Sequence, residues 1–100
     1  MIEKSIEVDR LEDIISVFGS FDSNLKIIES DLNVKIFDRD QTIHISGEAE
    51  DVMNAGKAVE GLLTLASKGE TIDDRSVRYV LHLIEQGKEN QINDLAGDVI

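Results

Sequence analysis

The chain alternates short stretches of strand-like and helix-like hydrophobic patterning. Apolar and polar positions alternate over residues 2–8, which predicts a half-buried strand. A helix follows, and Asp9 and Glu12 have the spacing of a capping box at its start. Gly19 is expected to end this helix because glycine readily adopts positive φ. The predicted buried stripe consists of Leu11, Ile14, Ile15 and Phe18.

A second helix is predicted directly after the short loop of residues 19–22, with Asp22 or Ser23 as its N-cap. Two further alternating stretches lie on either side of the polar residues 38–41. These four residues are interpreted as a turn, so the two stretches predict a β-hairpin. The predicted inward positions are Leu25, Ile28 and Leu32 on the helix and Val34, Ile36, Ile43 and Ile45 on the strands.

The longest periodic stretch predicts a third helix over residues 49–68. A fourth helix is predicted to begin at Asp73 as its N-cap, with Ile72 packing on Val77 as a hydrophobic staple. Gly87 is expected to end it. The resulting order is β-α-α-β-β-α-α, an α+β fold with three strands on one side of the helices. Buried helix positions are predicted at Val52, Ala55, Val59, Leu62, Leu63, Ala66, Val77, Val80, Leu81 and Ile84.

Composition narrows the possible functions. One hundred residues suffice for one core. The net charge of −11 repels phosphate backbones, so nucleic-acid binding requires a local basic patch, and a basic protein partner is electrostatically simpler. The absence of Cys excludes disulfides and thiolate metal sites. No apolar run reaches the roughly 20 residues that span a membrane, and the first residues do not resemble a signal peptide, so a cytoplasmic location is expected.

No catalytic arrangement is recognisable in the sequence. There is no phosphate-binding P-loop motif and no GxSxG nucleophile motif. His44 is expected on the outward side of a strand and His82 beside the stripe of the last helix. Three acidic residues complement the start of a helix, where negative charge is favourable: Glu48, Glu50 and Asp51. We therefore expect no catalytic and no metal-binding residues, with a weak divalent-cation site at Asp38 and Asp40 as the alternative.

Four short motifs in the first two thirds of the chain carry a resemblance: FGSFD at 18–22, NLKIIE at 24–29, NVKI at 33–36 and ISG at 45–47. Their order and spacing resemble the KH domain, a single-stranded nucleic-acid-binding module. In that family a Gly-x-x-Gly loop brings backbone N–H groups and a helix N-terminus to the sugar-phosphate backbone. Asp22 stands at the second glycine, where a carboxylate acts as a self-supplied anion and repels phosphate by about 1 kcal/mol.

The KH resemblance implies a set of nucleic-acid contacts. Phe21 is expected either to stack on a base or to hold the loop against the core. Three basic residues are expected to contact phosphates. The complete implied set is Gly19, Ser20, Phe21, Asp22, Asn24, Lys26, Lys35 and Arg39.

A narrower resemblance covers residues 6–87. It includes FG at 18–19, DSNL at 22–25, KG at 68–69, and Ile72, Val77, Tyr79, Leu83 and Gly87. This pattern looks like the N-terminal region of PhoH-like proteins, bacterial phosphate-starvation-inducible ATPases. In that family a KH-like domain with Asp at this loop position precedes a P-loop ATPase domain linked to RNA metabolism.

The PhoH-like resemblance implies a KH-like domain over residues 1–69, an additional helix within 70–88 and a linker over 89–100 towards an ATPase domain. ATP and Mg²⁺ are expected only in that domain, and no cofactor is expected in this chain. The implied function is non-catalytic: RNA recognition, or positioning of the ATPase domain. The implied partners are single-stranded RNA, the ATPase domain and a homo-oligomer, with no membrane.

The alternative is a protein-interaction or oligomerisation domain that binds no nucleic acid. One exposed patch combining Phe21, Phe37 and Tyr79 would indicate it.

Overall fold

A computed structural model describes residues 1–87 as a three-stranded antiparallel sheet with four α-helices. The predicted order β-α-α-β-β-α-α and the α+β class are confirmed. The predicted linker over residues 89–100 lies outside the described residues. The elements are β1 (Ile2–Glu7), α1 (Leu11–Phe18), a 3₁₀ turn (Ser20–Asp22), α2 (Ser23–Leu32), β2 (Lys35–Arg39), β3 (Thr42–Gly47), α3 (Ala49–Ser67) and α4 (Asp74–Glu85).

The sheet has the strand order β1-β3-β2, so β3 is central and the other two strands form the edges. Ile43 and Ile45 of β3 are fully buried, and Ile36 of β2 is 5% exposed. These side chains join the core beneath the helices, as predicted. Successive strand residues point to opposite faces. The odd-numbered residues of β1 and β2 and the even-numbered residues of β3 therefore form a second face, here called the outer sheet face.

The hairpin turn is shorter than the predicted one. β2 continues to Arg39, which pairs with Thr42. Only Asp40 and Gln41 form the turn, with φ values of 52° and 60°. Two consecutive left-handed residues are the requirement of a two-residue hairpin turn whose twist matches the strands. The prediction of a four-residue turn over 38–41 was therefore wrong.

The start of α1 also differs from the prediction. Arg10, not Asp9, occupies the N-cap position, and no side chain caps the helix. The buried face contains Val17 besides Ile14 and Phe18, whereas Leu11 and Ile15 are exposed by 53% and 64%. The assignment of these two residues to the core was wrong, because α1 packs on α2 and α3 through its other apolar flank.

The last two helices follow the sequence more closely. Asp73 caps α4 in a capping box with Ser76, as predicted for Asp73. Ile72 and Val77 are both buried. α4 packs on α2 and α3, and its apolar residues belong to the same core as the sheet. The prediction missed core residues Gly56, Ala58, Leu65 and Leu83, while Leu32, Leu63 and Ala66 are only partly buried.

Candidate nucleic-acid interface

Gly19 fixes the geometry of the 19–22 loop. Its N–H donates to the carbonyl of Ile15 at 3.0 Å and closes α1. Its φ of 79° and ψ of 178° fall in a backbone region that essentially only glycine adopts. A Cβ here would lie 2.7 Å from Nδ2 of Asn24. No other residue type fits this position without strain.

The next residues keep an unusual backbone. Phe21 and Asp22 both have positive φ, 54° and 58°. The N–H of Asp22 donates to the carbonyl of Gly19 at 3.2 Å, which closes a tight turn. The Phe21 side chain is 95% exposed. Of the two predicted roles of Phe21, holding the loop to the core is therefore wrong, and its ring is free to contact a ligand.

The N-terminus of α2 has no side-chain cap. Asp22 occupies the N-cap position in a left-handed conformation, and its carboxylate accepts no capping hydrogen bond. The N–H of Ser23 donates back to the carbonyl of Ser20. The prediction that Asp22 or Ser23 caps the helix through its side chain was wrong, since no side chain accepts a capping hydrogen bond from the first helical N–H groups. These groups have no partner within the helix.

Asn24, which was predicted to contact nucleic acid, is buried and makes a structural hydrogen bond. It is 3% exposed, and its Nδ2 donates to the carbonyl of Ile72 at 3.2 Å. This hydrogen bond joins the start of α2 to the segment that precedes α4. The residue therefore holds the loop in place from inside the protein.

The three predicted cations are not gathered around the loop. Lys26 lies in the first turn of α2, where it lines an open depression of about 380 Å³ together with Arg78. Lys35 begins β2, just beyond the C-terminal end of α2. The 10 residues of α2 span about 15 Å, so Lys35 is separated from the loop by the length of that helix. Lys35 and Arg39 both lie on the outer sheet face.

A pair of stacked rings occupies the centre of the outer sheet face. Phe37 and His44 are directly opposite on β2 and β3, with ring centroids 4.8 Å apart and an interplanar angle of 17°. Oγ of Ser5 lies 3.2 Å from Nδ1 of His44 on the other side. Sequence reasoning missed this pair. A two-residue turn implies the pairing of residue 37 with 44, whereas the predicted four-residue turn pairs Phe37 with Thr42.

Glu29 ties α2 to the sheet edge. Its Oε2 accepts a hydrogen bond from the backbone N–H of Ile36 at 2.8 Å. Ile36 belongs to β2, an edge strand, so this donor points away from β3. A side chain of α2 thus satisfies one donor of the exposed edge, which fixes the helix beside the strand.

The exposed aromatic residues do not form a single patch in residues 1–87. Phe37 is 46% exposed on the outer sheet face, and Tyr79 is 44% exposed on α4, in the helical layer behind the opposite face. Within the same range no group of three metal-ligating side chains occurs, including around Asp38 and Asp40. His82 is exposed on α4. Among the described helices, none is long and apolar enough to cross a membrane.

Comparison with known proteins identifies relatives of this chain. No family model matches it, and no solved structure matches it. It is 38% identical to a PhoH-like protein of Bacillus subtilis over 81 residues, which are 81% of this chain and 24% of that protein. It is 30% identical to a PhoH-like protein of Mycobacterium leprae over 88 residues, 87% of the chain and 25% of the relative. It is 26% identical to a PhoH-like protein of Mycobacterium tuberculosis, again over 88 residues.

The chain thus spans about a quarter of the length of the curated relatives that it matches. The resemblance predicted from the loop and helix motifs is confirmed at the level of the family. The chain is homologous to the PhoH-like proteins, over the N-terminal portion of their length.

Proposed function

We propose that this chain is a non-catalytic accessory domain of a PhoH-like protein and that it binds single-stranded RNA through the 19–22 loop. One observation carries the proposal. Phe21 is 95% exposed on a left-handed backbone, directly before a helix N-terminus that no side chain caps. An exposed aromatic ring on a strained backbone has no packing role, and such strain is concentrated at functional sites.

The loop offers two complementary interactions to RNA. The Phe21 ring can stack on a base, an interaction worth about 1–3 kcal/mol per base and tolerant of sequence. The N–H groups of α2 that follow Ser23 can receive a phosphate, because a helix N-terminus carries partial positive charge and its first N–H groups have no partner within the helix. Lys26 lies in that first turn of α2 and adds a full positive charge.

The charge of the chain limits the affinity. Asp22 is exposed beside the proposed phosphate position and opposes it by about 1 kcal/mol. The net charge of −11 adds a long-range repulsion that physiological salt partly screens. We therefore expect weak binding, which the other parts of a longer protein would reinforce through effective concentration.

In the longer protein we place this domain beside a P-loop ATPase domain in the cytoplasm. ATP and Mg²⁺ would bind that domain and not this one. RNA held by the 19–22 loop would then be presented to the ATPase domain. The sequence of this chain contains no phosphate-binding P-loop motif, which supports a non-catalytic role.

Fluorescence anisotropy with a labelled ten-nucleotide oligouridylate, at low and physiological salt, tests this function. We expect Phe21→Leu to weaken binding about tenfold because it keeps an apolar side chain and removes the stacking ring. Tyr79→Leu is the matched control, since Tyr79 is an exposed aromatic on α4, and its affinity should equal that of the wild type. Asp22→Gly should bind more tightly. Equal affinities of the Phe21→Leu variant and the wild type would refute the loop as the site.

A second candidate function is supported by α1. Leu11 and Ile15 are one helical turn apart, and both are more than half exposed. This apolar pair favours a protein contact, for which we propose the ATPase domain of the same protein. Titration with the Bacillus subtilis relative from which the region matching this chain has been removed should shift the α1 amides. Ile15→Ser should remove that shift, whereas unchanged α1 amides in the wild type would reject this contact.

A further inference from the structure

The outer sheet face carries an ordered arrangement of charges. The strand register aligns three rows across the sheet, each with one residue from β1, β3 and β2. The β3 members of these rows include no acidic residue and no Lys or Arg. The β1 members include Glu3 and Glu7, whereas the β2 members include Lys35 and Arg39. The positive residues therefore lie together along one edge strand, two strand spacings or about 10 Å from the carboxylates.

Phe37 lies between the two cations on β2. Lys35, Phe37 and Arg39 are alternate residues of one strand and share the outer face, so each cation lies about 7 Å along the strand from Phe37. All three are exposed. Lys35 and Arg39 form no ion pair with any other residue of the range 1–87. Within the described residues, the charges of Lys35 and Arg39 are therefore available to bind a ligand.

The Phe37 ring is held in place from its other side. It stacks on His44, and Ser5 Oγ lies within hydrogen-bond distance of the His44 ring. The three residues form the middle row of the face, across β2, β3 and β1. A ring fixed in this way loses little conformational entropy when a base stacks on it.

We infer that the outer sheet face is a second binding site for single-stranded RNA, separate from the 19–22 loop. A base stacks on Phe37, and Lys35 and Arg39 contact the phosphates on the two sides of that nucleotide. Aromatic residues on an open sheet that stack bases, with cations along the backbone path, are a recurring means of binding single strands. The choice of RNA as the ligand rests on the proposed function, whereas the choice of the outer sheet face as the site does not.

The test uses the whole chain and the same labelled oligouridylate. We expect Phe37→Leu to lower the affinity about tenfold, since the ring is lost and an apolar side chain is kept. Phe37→Tyr should retain wild-type affinity. Lys35→Gln and Arg39→Gln should each reduce the slope of log affinity against log salt by about 1. Lys68→Gln, an exposed lysine at the end of α3, is the charge-matched control and should leave the slope unchanged.

Circular dichroism of each variant establishes that the fold is kept, and amide shifts of the wild type during titration give a readout that does not depend on mutation. We expect shifts at residues 35–39 and 42–46. Unchanged affinity of Phe37→Leu, or shifts confined to the 19–22 loop, would overturn the second site. If Phe37→Leu binds weakly and Phe21→Leu binds normally, this inference stands and the loop proposal fails. A wild type without any RNA binding overturns both.

A dilution series without RNA addresses the competing occupant, a second copy of the chain. The face is acidic along β1 and basic along β2, so two copies facing each other could pair opposite charges. We expect no dependence of the Phe37 and His44 amide shifts on protein concentration. Concentration-dependent shifts centred on these two residues, together with no RNA effect at them, would reassign the face to self-association.

Discussion

Within residues 1–87, two places carry consecutive non-glycine residues in the left-handed conformation: Phe21 with Asp22, and Asp40 with Gln41. At the hairpin, the conformation is the one that a two-residue turn requires. Nε2 of Gln41 also donates to the carbonyls of Val8 and Asp9, each at 3.2 Å. The left-handed residues of the hairpin therefore have a structural role: they form the turn, and Gln41 joins it to the segment before α1.

The 19–22 loop has no comparable compensation at its strained residues. Phe21 is almost fully exposed, and Asp22 makes no capping hydrogen bond. What holds the loop lies on either side of it: Gly19 with its glycine-only backbone and Asn24 with its buried hydrogen bond to Ile72. The difference teaches that consecutive positive-φ residues can occur with or without supporting side-chain contacts. These contacts distinguish a turn required by the fold from a loop for which we propose a ligand.

The largest effect is expected from Gly19→Ala. The new Cβ would lie 2.7 Å from Asn24 Nδ2 at a backbone conformation that alanine disfavours, so the free energy of unfolding should fall by about 3 kcal/mol. Gly69→Ala is the matched control, because Gly69 has φ of 86° but nothing within 4 Å of the new Cβ. Urea unfolding should show a loss of about 1 kcal/mol there. Equal losses would mean that the close approach of the new Cβ to Asn24 adds nothing to the cost of the substitution.

The next effect is expected from Asn24→Ala. The substitution leaves the carbonyl of Ile72 without its buried donor and opens a small cavity, which should cost about 2 kcal/mol of unfolding free energy. Hydrogen exchange of the 19–22 amides should accelerate together with that of the amides at the start of α4. Acceleration at only one of these two segments would show that Asn24 does not couple them.

A smaller difference in unfolding free energy is expected between glycine substitutions in the two left-handed pairs. Phe21→Gly removes left-handed strain and loses no packing, whereas Gln41→Gly removes strain but also two hydrogen bonds. We expect Phe21→Gly to be the more stable variant by about 1 kcal/mol in urea unfolding. If Gln41→Gly were the more stable variant, the distinction between the turn required by the fold and the loop proposed to bind a ligand would be contradicted.

The smallest effect compares two aspartates at N-cap positions. Asp73 accepts the Ser76 backbone N–H at 2.9 Å, and this hydrogen bond lowers the pKa of the Asp73 carboxyl from its ordinary value. A depressed folded-state pKa stabilises the protein above the unfolded value of about 4, and the contribution is lost as pH falls below it. Asp73→Ala should lower the Tm by a few degrees at pH 7 and flatten the acid limb of its pH profile.

Asp22→Ala is the comparison for that variant, since the Asp22 side chain caps nothing. Its Tm at pH 7 should equal that of the wild type. A loss of stability in Asp22→Ala as large as that in Asp73→Ala would show that Asp22 caps α2 in solution.

The fold could largely be predicted because its signals are local. The N-cap at Asp73 and the alternation around Ile43 and Ile45 depend on neighbours in sequence, and both were predicted correctly. The start of α1 was not, because Gln41 binds the carbonyls of Val8 and Asp9 from a distant turn. That contact fixes the chain before the helix, so Asp9 does not reach the N-cap position. These hydrogen bonds join residues that are distant in sequence, so no local sequence pattern predicts them.

The candidate site was only partly predictable. The motif around Gly19 located the loop, and the structure then showed that Phe21 is exposed and Asn24 buried. The grouping of Lys35, Phe37 and Arg39 was missed because the predicted four-residue turn contained Arg39. The two-residue turn places Arg39 in β2 and sets the register that pairs Phe37 with His44. Lys26 and Lys35 appear close in the sequence, but α2 lies between them and separates their positions.

The most direct test of RNA binding by the loop is an amide-shift NMR titration of the chain with the short oligouridylate at low and physiological salt. The account predicts shifts at residues 19–26, besides those expected on the outer sheet face, and these shifts should weaken as salt rises because phosphate contacts release counterions. An unchanged spectrum of these residues at both salt concentrations would contradict it.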